Sequence, residues 1–198
     1  MNSLTQFKKI RILPLLSLGA IFALAINAYA QNLYVSAQVP PSHAILEFTP
    51  DGTRSTYASG LEHPRGLAFD STFSNLFVAE ILDRDGISLG RALKFNLRNK
   101  VNTVGSAAHF TFEGLATDIA GNAYVMATDD NSPTLAGTIF KLTPDGERIV
   151  FGSVPGTTGD NEPQPSWGLA FDTAGNLYAA DGGAQTIYKF APDRKSVV

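Results

Sequence analysis

Short apolar segments with strand-like alternation recur along this chain, and turns rich in Gly, Pro, Asn and Asp separate them. The fullest example runs from residue 168 to 190 as GLAFD, NLYAAD and TIYKF, with a D-T-A-G-N turn joining the first two segments. Related segments begin at Gly66 and Gly114, so the pattern recurs about every fifty residues. Strand-like repeats of this length are typical of a β-propeller, in which each repeat forms one blade.

Each repeat contains four strand-like segments, labelled A to D, with GLAFD as strand A. Strand A is small and apolar, which suits the crowded innermost position of a blade, and strand C alternates as a half-exposed strand does. A T-P-D-G sequence at residues 49–52 and 143–146 predicts a tight turn between strands C and D. The fold class predicted is therefore all-β, a propeller of four-stranded antiparallel blades.

The repeats divide residues 31–198 into a partial first blade at 31–65 and three further blades that begin at Gly66, Gly114 and Gly168. The first repeat lacks strand A, and the sequence stops inside strand D of the last one. We therefore expect about four blades, as a fragment of a six-bladed ring. An open arc of blades exposes apolar faces, so self-association is also expected.

Residues 1–30 have a different pattern from the rest of the chain. Three cations at residues 8–11 precede an apolar run at 12–26, and A-Y-A at 28–30 forms a cleavage site before Gln31. This order predicts a secretory signal peptide and a secreted or periplasmic protein. The alternative is an uncleaved membrane anchor, but the run is short and is broken by Pro14. No membrane contact is expected after cleavage.

Charge and cysteine content exclude several classes of function. The formal net charge is −3, and no basic stripe is present, which argues against nucleic-acid binding. There is no cysteine, so the fold has no disulfide framework and depends on its core.

The connections between strands fall into two groups. The A–B and C–D turns are short and alike, and antiparallel order places them on one face of the propeller. The B–C and D–A connections are long and dissimilar, with Glu80–Arg91 as one predicted loop, and they share the other face. Variable loops on a rigid scaffold commonly carry binding sites, so we place the functional site on this second face, near the central channel.

The motif G-L-A-x-D-x-x-G-N-L-Y-x-A-D, followed by I-x-K-F, resembles the NHL-repeat propellers and their gluconolactonase-like relatives. Gly168, Asp172, Gly175, Asn176 and Asp181 are among the residues that carry the resemblance, and it covers nearly all of residues 31–198. The resemblance implies the propeller fold. It does not select a function, because such propellers serve as binding modules, lyases and lactonases.

Three residues stand immediately before the glycine of strand A, where they are expected at the channel mouth: Arg65, Glu113 and Trp167. The resemblance to gluconolactonase-like propellers implies metal ligands at comparable places. Only Glu113 offers the oxygen ligand that a hard divalent cation needs, so no metal and no cofactor is predicted. The favoured interpretation is that these are ordinary loop-end residues, with Arg65 and Glu113 paired.

All three histidines, His43, His63 and His109, are predicted to lie in loops of the same face. Three imidazoles could hold zinc, and the resemblance to NHL-type amidating lyases implies histidines from separate blades. However, His63 and His109 stand at different distances from their strand A, so surface histidines are the favoured interpretation.

Two other patterns are assigned structural roles. Asp70, Asp118 and Asp172 recur at the end of strand A and are predicted to cap the A–B turn rather than to act in catalysis. Acidic residues of the B–C connections, among them Glu80 and Asp181, are of the type that binds calcium, but none completes a calcium-loop motif. Their carboxylates are therefore predicted to be solvent-exposed charges. The letters G-I-S-L-G at 86–90 match a nucleophile elbow only by chance, because a strand rather than a helix follows.

The sequence therefore predicts an exported propeller that acts as a binding or scaffold module through its B–C and D–A loops. The candidate binding residues are Arg65, Glu113, Trp167, His63 and His109, and no residue is assigned as catalytic. The partner would be a protein, a glycan or a small molecule. The alternative function is a metal-dependent hydrolase or lyase, lactonase-like, on the same fold.

Overall fold

The computed structural model describes residues 31–38, 43–96, 98, 100–132, 136–155, 167–182, 184–192 and 196–197. The predicted signal peptide, residues 1–30, lies outside these ranges. Every regular element in the described ranges is a β-strand. They contain no helix of the length and apolarity that a membrane crossing requires.

The strands form four successive antiparallel units, which we call blades 1 to 4. Blade 1 contains β1 (Leu33–Ala37), β2 (Ala44–Phe48) and β3 (Arg54–Ser59). Blade 2 contains β4 (His63–Phe69), β5 (Asn75–Arg84), β6 (Ile87–Asn96) and β7 (Val101–Ala108). Blade 3 contains β8 (Phe110–Thr117), β9 (Ala123–Asp129), β10 (Gly137–Leu142) and β11 (Arg148–Val154). Blade 4 contains β12 (Trp167–Phe171), β13 (Leu177–Asp181), β14 (Thr186–Phe190) and β15 (Ser196–Val197).

Within each blade the strands pair in chain order, as a meander requires. The prediction of an all-β fold with four-stranded antiparallel blades is confirmed, with three described strands in the first blade. The predicted tight turns are also present. In the first T-P-D-G turn, the Gly52 amide donates to the Thr49 carbonyl oxygen at 2.8 Å, and Gly52 has a φ of 84°. Glycine adopts this left-handed conformation without the steric cost that other residues incur.

The predicted loop Glu80–Arg91 was wrong. β5 and β6 pair without interruption as far as Arg84 and Ile87, and a two-residue turn of Asp85 and Gly86 joins them. Both turn residues have positive φ, 55° and 80°, which is the conformation that an Asp-Gly hairpin turn favours. The extended hairpin reaches blade 3, where Leu89 forms a parallel bridge with Phe110.

The hydrophobic core lies between the blades, in three clusters that we call seams. Successive residues of β5 point to opposite faces, so Leu76 and Val78 pack toward blade 1 while Phe77 and Ala79 pack toward blade 3. The third cluster joins blades 3 and 4, with Met126 and Leu177 fully buried. Because both faces of a central strand are buried, the strand has a continuous apolar sequence rather than an alternating one.

Candidate functional site

The first strands of blades 2 and 3 run side by side, and this close approach positions the candidate residues. A Cβ on Gly66 of β4 would lie 2.5 Å from the Glu113 carbonyl oxygen and 2.7 Å from the Leu115 amide nitrogen of β8. The two backbones are in contact here, and only glycine fits between them. The prediction that strand A occupies a crowded position is thereby explained in atomic terms.

Both strands begin earlier than the sequence predicted, at His63 and Phe110, and both contain a β-bulge near the glycine. The register shifts between Pro64 and Leu67 in β4, and between Phe112 and Leu115 in β8. A bulge locally redirects side chains out of the regular alternation. Arg65 and Glu113, predicted as loop-end residues, are instead strand residues within the bulges.

The two bulges bring Arg65 and Glu113 together, and we call this pair the mouth site. Arg65 Nε lies 3.5 Å from Glu113 Oε2, which confirms the predicted pairing. The Arg65 side chain is 42% exposed, whereas that of Glu113 is 24% exposed. Burial raises the pKa of Glu113 above its ordinary value, and the Arg65 charge opposes that shift only in part. The site therefore combines a partly desolvated carboxylate with an accessible guanidinium.

Trp167, the third candidate at the mouth, is the first residue of β12, and its backbone pairs with Asp181 of β13. Its side chain lies outside the described part of the structure. The corresponding positions on the three first strands are thus arginine, glutamate and tryptophan, and only one of them is an oxygen ligand. In the described part of the chain, no group of three or more His, Asp or Glu side chains stands close enough to hold a metal ion. The residues present therefore do not fit the divalent ion that the fold family implies.

The histidines do not form one site either. The rings of His43 and His63 lie 5.1 Å apart, and His63 is a strand residue of β4 rather than the loop residue that was predicted. His109 is a one-residue turn between β7 and β8, with a φ of 63°. Its amide donates to the Ser88 carbonyl oxygen, and its own carbonyl oxygen accepts from the Asp130 amide. Both His63 and His109 are exposed.

Glu80 and Asp181 contradict the prediction of solvated charge, because both are buried. Glu80 Oε1 accepts a hydrogen bond from Arg91 Nε at 2.6 Å, and Oε2 accepts from the Glu62 amide at 3.3 Å. Arg91 stands directly opposite Glu80 in the β5–β6 register. The sequence contained an acid and a base that could pair, but the register that places them opposite each other became visible only in the extended β5–β6 hairpin.

Asp181 occupies the corresponding position in blade 4 without the corresponding base. Thr186 stands opposite it in the β13–β14 register. Asp181 Oδ1 accepts from the Ala184 amide at 3.0 Å, whereas Oδ2 is buried without a hydrogen-bond partner in the described structure. An unsatisfied carboxylate oxygen at this position is a cost that blade 2 avoids with Arg91.

The structural role predicted for the recurring aspartates is seen in all three complete blades. In blade 4, Asp172 Oδ1 accepts from the amides of Ala174 and Asn176, and Oδ2 accepts from the Asn176 side chain at 2.7 Å. Asp118 with Asn122, and Asp70 with Asn75, repeat the arrangement. The Asn176 side chain is the main reason that the pKa of Asp172 lies below its ordinary value. Both oxygens of these carboxylates accept hydrogen bonds within the turns.

Ser88, the serine of the G-x-S-x-G match, lies within strand β6. A nucleophile elbow requires a turn followed by a helix at this position, so the match is a chance one.

Comparison with known proteins gives a fold and no closer relationship. No protein-family model matches the chain. No curated protein matches it either. Among solved structures, a gluconolactonase from Xanthomonas campestris is 22% identical, with a TM-score of 0.50 over 72% of this chain and 43% of that chain. The periplasmic gluconolactonase of Pseudomonas aeruginosa is 16% identical, with a TM-score of 0.52 over 82% of this chain and 50% of that one.

A protein of unknown function from Bacteroides caccae is similar to the same degree, at 14% identity and a TM-score of 0.52 over 85% of this chain and 57% of that chain. This chain thus spans about half the length of the solved structures that it matches. At these identities the likeness establishes the propeller fold and leaves the activity open.

Proposed function

We propose that this protein, whose fold is that of the gluconolactonase-like β-propellers, hydrolyses a small cyclic ester, a lactone, at the mouth site. The observation that carries the proposal is the pair of Glu113 and Arg65, a partly buried carboxylate with a raised pKa beside an accessible guanidinium. Gluconolactonases among the similar structures support the substrate class. The similarity to gluconolactonases agrees better with the alternative function inferred from the sequence, a hydrolase, than with a scaffold role.

The two side chains suit the two demands of lactone hydrolysis. The Glu113 carboxylate removes a proton from a water molecule while the water oxygen attacks the lactone carbonyl carbon. Arg65 donates hydrogen bonds to the carbonyl oxygen as negative charge develops on it. When the tetrahedral intermediate collapses, the ring C–O bond breaks, and the ring oxygen takes up the proton held by Glu113. The product is the open-chain hydroxy acid. No step requires a metal ion.

The test is hydrolysis of glucono-δ-lactone by the purified protein, followed as acid release and corrected for the spontaneous reaction. Glu113→Gln removes the base, and we expect kcat/KM to fall by about 100- to 10,000-fold. Glu147→Gln, on an exposed turn of the opposite face, is the matched control and should leave the rate unchanged. Equal rates for the protein and Glu113→Gln would refute the proposal.

The dependence of the rate on pH provides a second measurement. The base must be ionised, so kcat/KM should fall as pH is lowered through the pKa of Glu113. Because burial raises that pKa, the decline should begin above the ordinary glutamate value of 4.5. The residual rate of Glu113→Gln should show no such decline.

Recognition without turnover is the second candidate, and one observation favours it. Glu113 is already paired with Arg65, and in the described structure no third acidic group or histidine joins them in a ligand cluster. A site of this kind could hold a hydroxy acid through Arg65 without hydrolysing its lactone. Saturable binding of gluconate, lost in Arg65→Met, together with no lactone hydrolysis would favour this candidate over the enzyme.

A further inference from the structure

A cavity of about 410 Å³ opens on the face opposite to the mouth site, at the seam between blades 3 and 4. Residues of β9, β10, β11 and the A–B turn of blade 3 line one side of it, and residues of β12 and the A–B turn of blade 4 line the other. No candidate residue from the sequence lies here, because the turns of this face were predicted to be scaffold only.

Three aromatic rings form the apolar wall of the cavity. Tyr124 meets Phe151 at a centroid distance of 5.0 Å and Phe171 at 4.9 Å, both edge to face. Tyr124 is almost fully buried, whereas Phe151 and Phe171 are partly accessible, so they present ring surface to the cavity. T-shaped packing fixes the rings in position and gives the wall a defined shape.

The two carboxylates of the cavity already accept hydrogen bonds from the protein, whereas its ammonium group has free donors. Asp118 and Asp172 lie at the rim, and both oxygens of each accept hydrogen bonds from their own turns. Lys141 is different. Its ammonium lies 5.8 Å from the centre of the Tyr124 ring, and it forms no ion pair within the described part of the chain. The Lys141 donors therefore remain available to a ligand, and Thr173 also lines the cavity.

The other seams do not reproduce this combination. A cavity of about 420 Å³ between blades 2 and 3 has the equivalent lysine, Lys94, over Phe77. In this cavity, Val104 occupies the position that corresponds to Phe151 of blade 3, so the ring that Phe151 provides is replaced by an aliphatic side chain. Between blades 1 and 2, Tyr34 packs against Tyr57 and Phe69 in the same way, but Glu47 replaces the lysine and accepts from the Tyr34 hydroxyl.

We propose that the blade 3–4 cavity binds an uncharged hydroxylated ring, namely a pyranose sugar. The ammonium of Lys141 disfavours a cation, and the two aspartates at the rim disfavour an anion, since like charges repel. A neutral ring avoids both penalties. Its C–H face packs on Phe151 and Phe171, while its hydroxyl oxygens accept from Lys141. This site is independent of the mouth site and of the hydrolysis proposed there.

The experiment titrates the isotope-labelled protein with methyl α-D-glucopyranoside and with the linear trisaccharide maltotriose, and follows the backbone amide signals by NMR. Saturable shifts should map to Lys141 and to residues 173–175. Tighter binding of the trisaccharide would identify the ligand as a unit of a glycan, and equal binding would identify a free sugar. Sodium benzoate and benzylamine serve as the anionic and cationic probes, and neither should saturate.

Two variants and one control test the assigned contacts. Lys141→Met should weaken binding about 10-fold, because it removes a charged hydrogen-bond donor. Phe151→Val, which introduces the residue of the neighbouring seam, should also weaken it and keeps the test valid if the lysine variant fails to fold. Lys189→Met is the matched control, because Lys189 lies over Tyr178 in the same way but does not line the cavity. Absence of saturable shifts, saturation by benzoate or benzylamine instead, or an equal loss in Lys189→Met would overturn the proposal.

Discussion

One position in the second strand of each complete blade faces a residue of the third strand, and its charge differs from blade to blade. Blade 2 has Glu80 opposite Arg91, blade 3 has Ala127 opposite Thr138, and blade 4 has Asp181 opposite Thr186. The first is an ion pair, the second carries no charge, and the third is an acid without a base. Substitutions at the three positions can therefore be compared with one another within one chain.

Removal of Arg91 should be severe, because Glu80 would remain buried without its counter-charge. We expect Arg91→Met to lower the free energy of unfolding by about 3–5 kcal/mol. Arg84→Met, which breaks the exposed pair of Arg84 with Glu62, should cost at most about 1 kcal/mol. Urea denaturation of both variants measures the difference, and equal losses would show that Glu80 is not desolvated as described.

Asp181 should gain from the partner that Glu80 already has. Thr186→Arg places a guanidinium opposite the unsatisfied Oδ2, and we expect the free energy of unfolding to rise by about 1 kcal/mol. Thr138→Arg is the control, since Ala127 stands opposite it and offers no charge. Thermal melting of the two variants decides the matter. A gain in the control, or none in Thr186→Arg, would contradict the assignment.

At the scale of the strands, the glycine of strand A has different requirements in different blades. Gly66 lies against the β8 backbone, whereas a Cβ on Gly168 would meet only the Ala180 side chain, at 3.9 Å. Glycine is therefore required at this motif position where two first strands touch, whereas the last blade has room for a larger residue there. The motif alone does not reveal this distinction.

Alanine substitutions at these two glycines should therefore differ. Gly66→Ala forces β4 and β8 apart, and we expect a loss of about 3 kcal/mol in the free energy of unfolding. Gly168→Ala should be neutral, or stabilising by about 0.5 kcal/mol through the unfolded state. Chemical denaturation compares them. Because Gly66 also contacts Glu113, lactone hydrolysis should fall in the first variant and persist in the second.

For the molecule as a whole, stability resides in the contacts between neighbouring blades. The three core clusters are shared pairwise, so blade 1 contributes to one seam and blade 2 to two. Stability in such an array is approximately a sum of nearest-neighbour terms. Local opening of one seam should then leave a distant seam largely intact.

Native-state hydrogen exchange can test this independence. Ile45→Ala in the first seam should cost about 2–5 kcal/mol, and the loss of amide protection should concentrate around Val78 and Leu93. Leu177→Ala in the last seam should instead reduce protection around Met126 and Ala179. Uniform loss of protection across all blades in both variants would show that the blades unfold as one cooperative unit.

The sequence by itself determined the features that depend on neighbours in the chain. The tight turns and the aspartates that cap the A–B turns were readable, because each depends on residues within about five positions of one another. Asp118 and Asn122 illustrate this, since their hydrogen bond spans four positions. The period of about fifty residues was readable because these local patterns recur along the chain. The small, apolar residues of strand A likewise indicated its crowded position in the blade.

Only the tertiary structure decided the features that depend on the adjacent blade. The bulges in β4 and β8, the burial of Glu80 and Asp181, and the cavity beside Lys141 all require knowledge of which strands lie together. The bond from Thr117 Oγ1 to the Phe69 carbonyl oxygen, 48 positions away, shows the scale of these contacts. Propeller blades touch across a full repeat of sequence, and no local pattern encodes the side chains that meet there.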